Sequence, residues 1–205
     1  MKSLKIAAVA TALVISTSAN AALLGRLAAT EGGTDYQAYY DTEADLTWLA
    51  DANPTLGSVY DYRGNGIVSW RDATKWVADL SVGGVDGWRL PDPDNSCQGY
   101  NCTNSEMGSL FYNVLGNTAK TRIVNTGPFN NVQDFNYWLS AEYYAVNGFA
   151  YTFDMGYGST GSSKGSSYVW AVQSGDVSAV PVPAAVWLFG TGLIGLAGVA
   201  RRKKA

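Results

Sequence analysis

An α+β domain, with two helices packed on a mainly antiparallel twisted sheet and joined by long loops, follows from three features of the sequence. Stretches in which aromatic and β-branched residues alternate with polar ones lie around 36–49 and 137–173, and such stretches favour a pleated surface. Between them, two segments at 70–80 and 104–115 switch to helical spacing. Most of the chain's 23 glycines lie with Asn, Asp and Ser in the connections, so these read as turns and loops.

The two ends set the compartment. Lys2 and Lys5, an apolar run at 6–15 and Ser18-Ala19-Asn20-Ala21 form a secretory signal peptide over 1–21, cut by signal peptidase before Ala22. At the other end, 184–200 is 17 residues without a charge, followed by Arg201-Arg202-Lys203-Lys204. At about 1.5 Å rise per residue this just crosses a hydrocarbon core of about 30 Å, and the basic cluster places the C-terminus in the cytoplasm. The predicted organisation is a signal peptide 1–21, a folded domain 22–176, a linker 177–183, a membrane-spanning segment 184–200 and a basic tail 201–205.

The chain carries 14 basic and 17 acidic residues; without the six basic residues of its two ends, the exported body has 8 against 17, a net charge of −9. Nucleic acid is therefore not an expected partner. No histidine occurs, which removes His-based triads, His general bases and His metal ligands. Roughly 160 residues remain for the body, enough for one domain with its own core.

The first strands run through Tyr36, Tyr39, Tyr40 and Asp45-Leu46-Thr47-Trp48-Leu49, and Pro54, which cannot donate to a ladder, ends them. Ser69 and Asp72 make a capping-box-like start, and Trp70, Ala73, Val77 and Leu80 recur at helical spacing, predicting a helix over 70–80. Asn104 or Ser105 caps a second helix, in which Met107, Leu110, Phe111, Val114 and Leu115 form one apolar face and Gly116 is the stop. Glu106 falls in its first turn, where the helix dipole favours a carboxylate. The region 117–136 is loop-rich. A closing meander follows: a strand at 137–142, a turn at Asn147-Gly148, a strand at 149–155, a flexible loop at 156–166 and a last strand at 167–173. The Gly-x-Gly in that loop lacks the strand-to-helix context of a phosphate cradle.

Between these elements lies Asp92-Pro93-Asp94-Asn95-Ser96-Cys97-Gln98-Gly99-Tyr100-Asn101-Cys102. In an exported protein the two cysteines are expected to form a disulfide, Cys97–Cys102, closing a short loop. Asp92, Asp94 and Asn95 present oxygens suited to Ca²⁺; turn chemistry accounts for the same residues without an ion. No other cofactor is expected.

Two resemblances organise these observations. Val180-Pro181-Val182-Pro183-Ala184-Ala185-Val186-Trp187-Leu188-Phe189-Gly190, with the apolar span and the basic end, resembles the PEP-CTERM sorting signals of Gram-negative bacteria, with Val182 in place of the usual Leu. That likeness implies recognition by an exosortase, a membrane-embedded cysteine protease-like transpeptidase, at a sorting motif of Val180, Pro181, Val182 and Pro183. The membrane helix is then a temporary anchor at the inner membrane, and the product goes to the cell surface or beyond, in bacteria that make extracellular polysaccharide. In the body, Leu46-Thr47-Trp48, Trp70, Gly87-Trp88-Arg89-Leu90-Pro91, Glu106-Met107, Tyr137-Trp138-Leu139-Ser140-Ala141-Glu142, Ala150-Tyr151-Thr152-Phe153 and Val169-Trp170-Ala171-Val172 follow the order of the DUF1566, or Lcl C-terminal, family over about 41–176. That family resembles the C-type-lectin-like fold shared with formylglycine-generating enzymes. Where it has Val-Arg near the end, this chain has Val172-Gln173.

The large tryptophans Trp48, Trp70, Trp88, Trp138 and Trp170 are expected to be packing elements, and Arg89 to hold strands or loops through its five donors. The expected function is a non-catalytic surface or matrix protein that binds a glycan, such as extracellular polysaccharide, or another envelope component. The loops 92–104 and 156–165 would carry the site, through Asp92, Asp94, Asn95, Tyr100 and Tyr157; Tyr143 and Tyr144 are further aromatic candidates. The alternatives are a purely structural surface protein or an enzyme, either of the formylglycine-generating kind or hydrolytic through a carboxylate pair such as Glu106 and Glu142.

Overall fold

The computed structural model describes residues 22–144 and 148–177. The signal peptide, the sorting motif at Val180, Pro181, Val182 and Pro183, the predicted span 184–200, the basic tail and Asn147 of the hairpin turn lie outside the described residues. Among the described residues, no helix is long and apolar enough to cross a membrane.

Strands β1 (Leu23–Ala28), β2 (Tyr36–Asp41) and β3 (Leu46–Leu49) form an antiparallel meander. The last strand, β10 (Val172–Ser174), returns from the far end of the chain to pair with β3, giving the order β1-β2-β3-β10. β3 has a partner strand on each side, and all four of its residues, which point alternately to the two faces of the sheet, are buried. Leu23, Asp41, Leu46 and Ser174 stand in one register row across this sheet. The two ends of the domain therefore leave the sheet at the same end of its strands, from its two opposite edge strands.

β4 (Val68–Ser69) leads directly into α1 (Trp70–Ala78). The predicted cap is in place: the Ser69 hydroxyl accepts from the Asp72 backbone N–H at 3.2 Å and donates to the Asp72 carboxylate at 2.7 Å. The helix ends two residues before Leu80, because the Leu80 N–H bonds the Val77 carbonyl three residues back and tightens the last turn. Ala73 and Val77 are its buried positions. Further on, β5 (Gly99–Tyr100) precedes α2 (Glu106–Ser109), whose Ser105 cap accepts from the Gly108 N–H at 3.0 Å. A side chain at Gly108 would collide with the Cys102 carbonyl, so glycine is required there. The helix widens into one π turn, Leu110–Val114, closed by a Leu115 N–H to Leu110 carbonyl bond of 2.9 Å. Gly116, at φ +66°, stops it.

β6 (Asn136–Tyr144), β7 (Phe149–Asp154) and β8 (Ser159–Ser163) continue the second sheet, ordered β5-β8-β7-β6. Here the structure departs from the expectation of a flexible loop over 156–166. β8 lies inside that stretch and pairs on both sides, with β7 along its whole length and with β5 at Gly99 and Tyr100. Its backbone bonds, not its side chains, place it in the sheet, so a run of Ser, Thr and Gly carries no hydrophobic alternation to announce it. The predicted last strand is also divided. β9 (Ser166–Ser167) pairs with β4, and the chain crosses between sheets at Tyr168 before β10 begins.

The core joins the two sheets through tryptophan. Trp48, Trp138 and Trp170 are fully buried, and Trp88 nearly so. Trp170 packs edge-on against Trp48 at 5.5 Å and against Phe129 at 4.9 Å between ring centroids. Each indole N–H of Trp70, Trp88, Trp138 and Trp170 donates to a backbone carbonyl, those of Leu139, Val85, Val68 and Leu49 respectively. These rings pin loops and strands, the packing role expected of them. The helices and antiparallel sheets make this an α+β domain.

Candidate functional site

Arg89 shows how the first candidate loop is anchored. Its backbone exchanges two hydrogen bonds of 2.9 Å with Val172 on β10, and its guanidinium forks onto the Glu106 carboxylate with two bonds of 2.7 Å. The Arg89 pKa is raised chiefly by that hydrogen bond to Glu106, against the opposing effect of burial. One oxygen of Glu106 also accepts from the Asp92 N–H at 2.7 Å. Arg89 thus joins β10 to the start of α2 and fixes where the loop after Pro91 begins. Glu142, the other carboxylate of the hydrolytic alternative, is exposed on β6, among the residues beside α1.

Within the loop, the Asp92 carboxylate accepts from the Ser140 hydroxyl at 2.5 Å and lies 3.5 Å from Arg89. Asp94 accepts from the Ser96 hydroxyl and backbone, which hold its carboxyl below the usual carboxylate range. Asn95 is exposed. Among the described residues, no group of three or more His, Cys, Asp or Glu is placed to hold a metal ion. Cys97 and Cys102 form the expected disulfide, with their Cα atoms 5.6 Å apart.

The pairing of β5 with β8 brings the two candidate loops to one face. Tyr100 lies opposite Ser159, and Tyr157 stands two residues before it. Both rings remain open to solvent, 43% and 45% exposed respectively. Lys120 sits with them: its backbone N–H donates to the Tyr157 carbonyl at 3.0 Å, and its ammonium lies 5.1 Å from the Tyr100 ring centroid. From below, the Tyr112 hydroxyl of the π turn receives the Asn101 N–H at 3.0 Å and donates to the Gly158 carbonyl. Asp154 caps the β7–β8 turn by accepting from the N–H groups of Gly156 and Tyr157. Beside this face, Arg122 pairs with Asp134, which raises the arginine's pKa. Asn101 and Lys120 both hold left-handed backbone, at φ +63° and +64°. For lysine that conformation costs roughly 1 kcal/mol, and here it turns the side chain over the Tyr100 ring.

Of the predicted site residues, the structure gathers Tyr100 and Tyr157. Asp92, Asp94 and Asn95 lie further back along the same loop, and Asp92 and Asp94 are engaged by neighbouring donors. Tyr143 is half-buried, packed at 4.9 Å on Tyr151, with its hydroxyl receiving the Gln98 amide. Lys120 and Tyr112 have no local signal in the sequence, since their roles depend on contacts 11 to 46 residues away.

This is the geometry of a non-repetitive α+β domain presenting an aromatic face from its loops. The Lcl C-terminal domain family matches residues 37–173, well over half of the chain, and the chain belongs to that family. The PEP-CTERM protein-sorting motif matches 179–204. The protein is accordingly exported, processed by exosortase and sorted to the cell envelope or surface. Comparison with curated proteins and with solved structures finds no match.

Proposed function

We propose that the exported domain is a non-catalytic binding module, C-type-lectin-like in fold, that holds a glycan of the envelope or extracellular matrix on its Tyr100–Tyr157 face. The observation that carries this reading is the convergence of two half-exposed tyrosines and an ammonium at one strand pairing. A tyrosine ring offers an apolar body for the C–H face of a sugar and a hydroxyl at its rim, while Lys120 donates to ring oxygens. Arg89 and Glu106, the most chemically suggestive pair, are occupied with each other, and that supports binding over catalysis. Extracellular polysaccharide is the expected partner in the cell.

The test is binding of the full chain in detergent to a glycan array and to native polysaccharide, with and without Ca²⁺. Binding that is lost in Tyr100→Ala and Tyr157→Ala, with unchanged thermal unfolding, is the expected result. A Ca²⁺ requirement abolished by Asp94→Ala would add the loop 92–95 to the site. A folded sample that binds nothing would leave a structural surface protein in its place.

A further inference from the structure

A cleft of about 600 Å³ opens between the first turn of α1, the exposed side of β6 and the β8–β9 turn. That size suits a small ligand of one or two sugar rings. Its charge is unusual for this body. Of the eight basic residues outside the two ends of the chain, Arg26, Arg89 and Arg122 pair with carboxylates and Lys120 lies over Tyr100. Three of the remaining four, Arg71, Lys75 and Lys164, line this single cleft. None of the three makes an ion pair among the described residues. In a body of net charge −9, the three unpaired cations from α1 and from the β8–β9 turn outnumber the two carboxylates of the same lining, Asp72 and Glu142, and leave the cleft net positive.

The rest of the lining narrows the anion. Trp70 borders the cleft with its indole N–H fixed on the Leu139 carbonyl at 2.8 Å, which holds the ring in place. Glu142 also lines it, exposed and without an ion-pair partner among the described residues, and Asp72 lies beside Ser69, which occupies one of its oxygens. Two carboxylates so near would oppose a compact dianion such as phosphate. They are well suited to accept hydrogen bonds from sugar hydroxyls while the cations take a single carboxylate.

We propose that this cleft binds a carboxylate-bearing sugar, of the uronate type. Arg71 forks onto the carboxylate, Lys75 and Lys164 surround it, Trp70 borders the ring, and Glu142 receives hydroxyls. The site is separate from the Tyr100–Tyr157 face and does not depend on it.

Calorimetric titration of the full chain in detergent with sodium glucuronate, glucose and inorganic phosphate tests this. Glucuronate should bind, glucose and phosphate should bind more weakly, and Arg71→Ala combined with Lys164→Ala should weaken glucuronate at least about tenfold, as loss of charge-assisted hydrogen bonds requires. Both side chains are exposed, so unchanged thermal unfolding is expected of the variant. Tyr100→Ala should leave glucuronate binding intact, which separates this cleft from the tyrosine face. The proposal is overturned by no glucuronate binding down to a Kd of about 10 mM, by equal binding of glucose or phosphate, or by equal affinity in the double variant.

Discussion

Arg89 and Glu106, seventeen residues apart, meet through two parallel hydrogen bonds of 2.7 Å, and the Asp92 backbone donates to the same carboxylate. The pair is 31% and 18% exposed, so its loss should cost less than the roughly 3–5 kcal/mol of breaking a fully buried pair. Arg89→Ala is expected to lower stability by about 2 kcal/mol, because Glu106 is left half-buried without its cation. Glu106→Gln, which keeps one acceptor, should cost less. Urea unfolding, with the midpoint shifted and the slope unchanged, is the measurement.

Gly158 sets the shape of the aromatic face. At φ +74°, a Cβ there would lie 2.5 Å from Phe111 and 2.6 Å from the Tyr112 hydroxyl. Gly158→Ala therefore combines left-handed strain with overpacking of the π turn, and a loss of about 2 to 4 kcal/mol is expected. The Tyr112 bond to the Gly158 carbonyl should open as well, loosening the link between the turn that carries Tyr157 and the Asn101 backbone next to Tyr100. Stability close to the parent protein would show that the turn relaxes without penalty.

What could be read from the sequence were relationships between near neighbours. Ser69 and Asp72 cap α1 as their spacing predicts, Ser105 caps α2, and Cys97 meets Cys102. The tryptophans announce a core because burying so large a ring is their cheapest role. β8 could not be read, since Ser159-Thr160-Gly161-Ser162-Ser163 is held by ladders on both sides and not by its own side chains. The face it creates was half legible: Tyr100 and Tyr157 were visible as aromatics in loops, but Lys120 joins them only through a turn whose backbone conformation disfavours its residue type. Glu106 was legible as a helix-start carboxylate, and its partner Arg89 as a tether, but not the fork between them.

The Cys97–Cys102 bond closes a loop with a sequence separation of only 5. On the loop-entropy account its reduction should cost about 2 kcal/mol, with the tryptophan core unaffected. The effect should concentrate at β5, whose two residues connect the disulfide loop to β8. Hydrogen exchange after mild reduction should show faster exchange in 97–102 and 159–160 and unchanged protection in β3 and β7. Global loss of protection would mean that the disulfide supports the whole fold.

Tyr137 supplies a pH dependence with a definite sign. The ring is fully buried on β6, between Tyr168 and Trp170, each at 5.7 Å, and its hydroxyl accepts the Gln133 N–H at 2.7 Å. Burial pushes the phenol well above its ordinary value, and the Gln133 hydrogen bond offsets only part of that. In the unfolded chain the group titrates near about pH 10. A folded-state value above the unfolded one means that the neutral phenol's contribution is fully present below about pH 10 and is lost as pH rises past it. Tyrosinate absorbance from Tyr137 should therefore appear together with unfolding. Tyr137→Phe should lose a little stability at neutral pH through the unpaired Gln133 N–H and should unfold at a higher pH than the parent. If the variant unfolds at the same alkaline midpoint, another buried group sets the limit.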